Sequence, residues 1–195
     1  MSNKLYFRYS AMNSGKTTQL IQVAHNYEER GMKPLVVKPG IDTKGGPCII
    51  SRIGVARKVD VLLPPNVKLS KILSDFESNY WAVDIILIDE VQFLSREQVD
   101  DLLNLSLHYP IICYGLRTDF KREGFEGSTR LLQVAHNIEE LKNICQCGKK
   151  ATFSILKYQG KYTDQGNQIQ IDNQPESVEY EAVCNECYNK LIFSK

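Results

Sequence analysis

Ser10-Ala11-Met12-Asn13-Ser14-Gly15-Lys16-Thr17 decides how this chain is read. It follows a short apolar run, Leu5-Tyr6-Phe7-Arg8-Tyr9, and opens a helix-like pattern over residues 18–30. Strand, tight loop, Gly-Lys-Thr and helix make the layout of a phosphate-binding loop. In that layout backbone N–H groups and the helix N-terminus face the phosphates. Lys16 reaches the terminal ones, and the Thr17 hydroxyl meets Mg²⁺. The strict pattern G-x-x-x-x-G-K-[ST] has Gly where this chain has Ser10, so the loop is expected to turn without that residue's freedom.

Outward from the loop, the helix carries Leu20, Val23, Ala24 and Tyr27 on one face, and Gly31 is expected to end it. Leu35-Val36-Val37, between Pro34 and Pro39, reads as a buried strand. Residues 40–57 have no clear period and read as a long loop containing Asp42 and Arg52, at the strand end where open α/β sheets place ligands. Residues 59–63 read as a strand, and Leu69, Ile72, Leu73 and Phe76 as an amphipathic helix. Ile85-Ile86-Leu87-Ile88 running into Asp89-Glu90 is a Walker B arrangement, a buried strand delivering an acid to the metal. On an extended chain the two carboxylates would point to opposite faces. Asp89 would then serve the metal, and Glu90 would face an acceptor and take its proton. Ser95-Arg96-Glu97-Gln98 has the form of a capping box, and Ile111-Ile112-Cys113-Tyr114-Gly115 is a further strand. Residues 115–128 form a polar loop that embeds Phe120 and Phe125, aromatics suited to stack on a nucleobase. The alternation predicts an α/β fold of the P-loop NTPase kind, a mostly parallel sheet flanked by helices.

The chain has 195 residues, 43% hydrophobic and 24% charged, which suits one domain plus an appendage and disfavours disorder. The net charge of +1 argues against a broad nucleic-acid surface while leaving room for a small anionic ligand. No apolar run approaches the ~20 residues of a membrane helix. Met1-Ser2-Asn3-Lys4 leads into a strand without a signal-peptide core, so a cytoplasmic location and no membrane partner are expected. Cys48 and Cys113 are isolated, and Cys113 reads as a buried thiol. Cys145/Cys147 and Cys184/Cys187 are paired. Four thiolates in two knuckles make a closed, structural Zn²⁺ site. Between the pairs, residues 151–158 and 168–171 alternate like ribbon strands. The expected division is a P-loop domain over 1–144 and a zinc-binding domain over 145–195.

With the phosphate loop, Asp89-Glu90-Val91-Gln92-Phe93, the Phe-bearing loop and the four-Cys ribbon in this order, the sequence resembles thymidine kinase of the zinc-containing type, over nearly the whole chain. Tyr-Ser-Ala-Met-Asn-x-Gly-Lys resembles the phosphate loop of one bacterial branch, and Asp89 to Phe93 the family's D-E-x-Q-F. Gly115-Leu116-Arg117-Thr118-Asp119-Phe120 with Phe125 resembles its nucleoside loop, and Tyr180-Glu181-Ala182-Val183-Cys184 the return of its substrate-covering lasso. The resemblance implies that ATP phosphorylates the 5′-hydroxyl of thymidine, and of deoxyuridine less well, giving dTMP for DNA synthesis. It implies Glu90 as general base, and Ser10 to Thr17, Asp89 and Gln92 at the ATP phosphates. Thr17, Asp42 and Asp89 would stand around Mg²⁺, with Arg52 as a further phosphate contact. Met12, Phe93, Leu116, Phe120, Phe125 and Tyr180 would enclose the thymine, with lasso residues Ile171, Asp172 and Asn173. These three stand where the family commonly has Ile-Gly-Gly. A homotetramer and inhibition by dTTP are also implied. Two other readings stay open on the residues alone: a zinc-ribbon ATPase acting on nucleic acid, and a non-catalytic dTTP sensor. Against the first stands the near-neutral charge, with Lys149-Lys150 the only basic pair beside the cysteines; against the second, the Asp89-Glu90 pair.

Overall fold

Strands buried on both faces form the centre of the molecule, because continuous Val/Ile/Leu runs leave no side for water. The computed structural model describes residues 4–42, 45–166 and 178–193. In chain order β1 (Leu5–Ser10) leads through the phosphate loop to α1 (Lys16–Glu28), then β2 (Pro34–Pro39). A hairpin follows, β3 (Cys48–Ile50) and β4 (Ala56–Lys58), then β5 (Val61–Leu63), α2 (Leu69–Asn79) and β6 (Ile85–Ile88). A 3-10 turn (Val91–Phe93) precedes α3 (Arg96–Leu105), β7 (Ile111–Leu116), α4 (Glu126–Val134) and β8 (Asn137–Glu140). Last come β9 (Phe153–Tyr158), β10 (Lys161–Thr163), β11 (Val178–Val183) and α5 (Asn185–Phe193).

Six strands form one sheet in the order β5-β2-β6-β7-β1-β8, and every pairing in it is parallel. β2 and β6 are buried at every position, as expected of central strands. One face packs Phe7, Leu35, Val37, Ile86, Ile88 and Leu102 among others. The opposite face packs Leu20 and Ala24 of α1 against Val36, Leu87 and Tyr114. β7 lies between β1, which delivers the phosphate loop, and β6, which delivers the carboxylates, so both arrive at the same edge of the sheet. A separate three-stranded antiparallel sheet, β10-β9-β11, joins α5 around a small core of Ile155, Val183, Tyr188, Cys145 and Cys184. Among the described residues no helix is long and apolar enough to cross a membrane.

Several expectations change. The span 40–57, read as loop, contains the β3–β4 hairpin, with Cys48 opposite Lys58. Strands of three residues are too short to display a period, and Ile49 is recruited by burial in the second core. Only Val61–Leu63 of residues 59–63 pairs in the sheet. The Val59 N–H instead donates to the Pro47 carbonyl and the Asp60 N–H to that of Val36. Residues 126–128, placed in a loop, begin α4. The capping box forms as read: Ser95 Oγ accepts from Gln98 N–H at 3.3 Å, and Gln98 Oε1 from Ser95 N–H at 3.1 Å. The ribbon strand expected at 168–171 lies outside the described residues.

Candidate active site

As expected, the phosphate loop turns without a glycine at position 10. Ser10 completes β1, paired with Leu116 of β7, and needs no left-handed backbone. Asn13 (φ 66°) and Gly15 (φ 81°) carry the positive φ values. Asn tolerates this region better than most side chains, and Gly has no Cβ to clash. The missing glycine at position 10 is therefore no obstacle. Ser10 Oγ donates to the Ala11 carbonyl at 2.8 Å and shares a hydrogen bond with Ser14 Oγ. Lys16 folds back on this loop, donating to Ser10 Oγ and the Ala11 carbonyl, each at 3.2 Å. Burial lowers the Lys16 pKa, the Glu90 and Asp89 carboxylates oppose that, and the Arg52 charge adds to the lowering. An incoming phosphate would return to this ammonium the charge compensation that water supplies elsewhere.

The Thr17 hydroxyl donates to Asp89 Oδ2 at 3.0 Å, joining the helix start to the end of β6. Asp89 is 2% exposed, and its Oδ1 is buried without a hydrogen-bond partner. Burial first, then the adjacent Glu90 carboxylate, pushes its pKa up to about 7. A buried carboxylate oxygen left unpaired suits a cation that approaches with the substrate. Glu90 is not extended: at φ 51° and ψ 38° it takes the left-handed conformation, which few side chains other than Gly and Asn adopt. The carboxylates thus diverge through a turn rather than through strand alternation, and both line the same cavity. Gln92 Nε2 donates to Glu90 Oε2 at 2.5 Å, while Gln92 Oε1 accepts the Leu116 N–H at 3.0 Å. A Cβ at Gly115 would lie 2.7 Å from Gln92 Oε1 and 2.8 Å from Val91 Cγ1, so glycine is what lets this amide approach β7.

The cavity, about 500 Å³, is lined by residues 12–18, Asp42, Arg52, Asp89, Glu90 and Leu116, with the hairpin closing one side. Of the proposed thymine contacts, Met12 and Leu116 line it. Phe93 meets Phe125 edge-on with centroids 6.0 Å apart, and Phe120 stands 6.4 Å from Tyr180. Phe120 and Phe125 are buried. Gln92 sits behind Glu90 rather than along the cavity. Ile171, Asp172 and Asn173 lie outside the described residues. Sequence reasoning passed over Lys38, which lines the cavity and holds Asp42 at 3.1 Å while 1% exposed. A lone charge inside the run Val36-Val37-Lys38-Pro39 was the available signal.

The four cysteine sulfurs converge as their spacing predicts. The Sγ atoms of Cys145, Cys147, Cys184 and Cys187 all lie within 4.8 Å of one another, and Cys147 and Cys184 are 3.6 Å apart. Four sulfurs about 2.3 Å from a tetrahedral centre stand ~3.8 Å apart, so the set fits zinc. The Cys187 N–H donates to Cys184 Sγ at 3.4 Å and holds that thiol below its ordinary pKa. Cys113 is buried, and burial pushes its thiol up, as an inert core cysteine requires.

Comparison with known proteins agrees with this geometry. The sequence model of the family described as thymidine kinase matches residues 3–188. A thymidine kinase of Francisella tularensis is 40% identical, covering 97% of this chain and 98% of that protein. One from Xanthomonas oryzae is 45% identical over 86% of this chain and 82% of its own length. One from Shewanella oneidensis is 40% identical over 97% and 98%. A phosphate loop beside a buried carboxylate with one unpaired oxygen, a half-buried glutamate and a four-thiol ribbon are thus carried by a chain that belongs to the thymidine kinase family.

Proposed function

We propose that this chain transfers the terminal phosphate of ATP to the 5′-hydroxyl of thymidine, giving dTMP and ADP. The observation that carries this reading is the convergence of Lys16, Thr17, Asp89 and Glu90 on one cavity in a chain of the thymidine kinase family. The backbone of residues 10–17 cradles the phosphates, with Lys16 released from Ser10 and Ala11 to meet them, and Arg52 on the facing hairpin adds positive charge. Glu90 takes the proton of the 5′-hydroxyl as that oxygen bonds to the terminal phosphorus, and the bond from phosphorus to the bridging oxygen of ADP breaks. Thr17, Asp89 and Asp42 would hold Mg²⁺, and the unpaired Asp89 Oδ1 is a donor of the right kind. The chemistry that ion supplies when bound is charge neutralisation at the transferring phosphate.

Thymine would sit between Met12, Leu116 and the aromatic group of Phe93, Phe120, Phe125 and Tyr180. Apolar contact with one methyl is worth about 1–3 kcal/mol, so deoxyuridine should be a poorer substrate rather than an excluded one. dTTP carries both a thymidine end and phosphates and would compete for both halves of the site. A homotetramer accompanies this reading. The cysteine cluster would hold structural Zn²⁺ that anchors both ends of the covering loop. The test is turnover of Mg-ATP over a panel of nucleosides. Thymidine should be the best acceptor, and Glu90→Gln should lower kcat by about 10²–10⁴ while nucleotide binding persists. ATP hydrolysis that does not need a nucleoside would sink the reading.

A further inference from the structure

Both backbone polar groups of Met12, in the middle of the phosphate loop, are taken by side chains outside that loop. The Met12 N–H donates to Ser154 Oγ at 3.0 Å, and Asn143 Nδ2 donates to the Met12 carbonyl at 2.8 Å. Each partner is rooted in the cysteine cluster. Asn143 lies two residues before Cys145, its carbonyl accepts the Ala151 N–H at 2.8 Å, and its Oδ1 accepts the Ile144 N–H at 2.8 Å. Ser154 is 3% exposed on β9, opposite Ala182, which lies two residues before Cys184. Immediately after Met12 the loop enters its first left-handed residue, Asn13, whose Nδ2 reaches the Tyr180 carbonyl of β11 at 3.3 Å. A backbone in a sparsely populated conformation persists only where its surroundings over-determine it. Here much of that determination comes from the ribbon.

We propose that Asn143 and Ser154 are positioning residues of the phosphate loop, which they clamp through Met12, so that the cysteine ribbon is part of the phosphate-donor site. The proposal rests on the reading of that loop as the donor site given above. A loop held in its binding shape loses less freedom when a ligand arrives, so the clamp raises donor affinity without touching the donor. Coupling of this kind is reciprocal: if a loaded ribbon favours the nucleotide, bound nucleotide must favour retention of the ribbon's metal.

The experiment compares wild-type chain with Ser154→Ala and Asn143→Ala, reading zinc content, calorimetric binding of Mg-ATP, and steady-state kinetics. With zinc still bound, each variant should raise the Kd and KM for ATP about five- to tenfold, the effect of one lost hydrogen bond to a half-buried backbone group. Because Met12 would also border the thymine, the KM for thymidine should rise too, but by less than that for ATP. Mg-ATP should also raise the wild-type chain's equilibrium affinity for zinc in competition with a chelator, and raise it less in the double variant. Unchanged ATP binding in both variants overturns the clamp while leaving the donor site intact. Equal loss of ATP and thymidine affinity together with loss of zinc overturns it in favour of a merely structural role. Failure of the wild-type chain itself to bind Mg-ATP overturns the donor-site reading, and the clamp with it.

Discussion

Glu90 is held by its neighbours rather than by its own strand. The Gln92 amide spans 2.5 Å to the Glu90 carboxylate and 3.0 Å to the Leu116 N–H, through space that exists because residue 115 has no side chain. With Glu90 as the proposed base, Gln92→Ala should lower kcat about tenfold or more and leave the KM for ATP nearly unchanged, since an unpositioned base costs proton transfer and not binding. Asp89 makes the complementary prediction for stability. Its folded-state pKa of about 7 stands above the ordinary 3.8, so its contribution is full below pH 3.8 and is lost as pH rises through 7. Ligand-free Asp89→Asn should be more stable than wild type at pH 8, by at most about 4 kcal/mol, and melt at higher temperature, with the gap shrinking toward pH 5. It should also lose turnover. A lower melting temperature at pH 8 would contradict the buried-charge argument.

Elements differ in how much of their stability they carry themselves. α3 begins in a complete capping box, and Ser95→Ala should cost about 1 kcal/mol in denaturant melts with unchanged activity per folded molecule. The β3–β4 hairpin depends instead on ties to other elements: Arg57 grips Glu28 of α1 through two hydrogen bonds at 2.8 and 2.9 Å, and Lys38 of β2 donates to the Cys48 carbonyl at 3.5 Å. Those ties aim the face that carries Arg52 at the phosphate loop. The ribbon depends on its four thiols. Cys184→Ser should abolish tight zinc retention, measured by metal analysis after dialysis against a chelator, because a hydroxyl does not replace a thiolate at a closed four-sulfur site. A fully metal-retaining variant would argue against zinc at this cluster.

For the whole molecule, the parallel order of the sheet brings the ends of β1 and β6 to one edge, and the ribbon folds back over the same edge through Met12 and Tyr180. A second tie runs from α5, where the buried Tyr188 hydroxyl donates to the Phe120 carbonyl at 2.6 Å. The cysteine ribbon therefore touches both the phosphate loop and the aromatic loop. By itself the sequence determined what short-range chemistry can encode: the phosphate loop, the Asp89-Glu90 pair, the capping box, the alternation that builds a parallel sheet, and the paired thiols. Each of these is a spacing of a few residues with a local physical cause. Tertiary structure alone decided which side chains support them. Asn143 and Ser154 lie 131 and 142 positions from Met12, and Gln92 meets Leu116 across 24. Nothing in the composition of a stretch marks a hydrogen bond whose partner arrives only when distant strands pack. The same holds for the hairpin, whose three-residue strands have no period to read and form because burial of Ile49 and Val59 stabilises them.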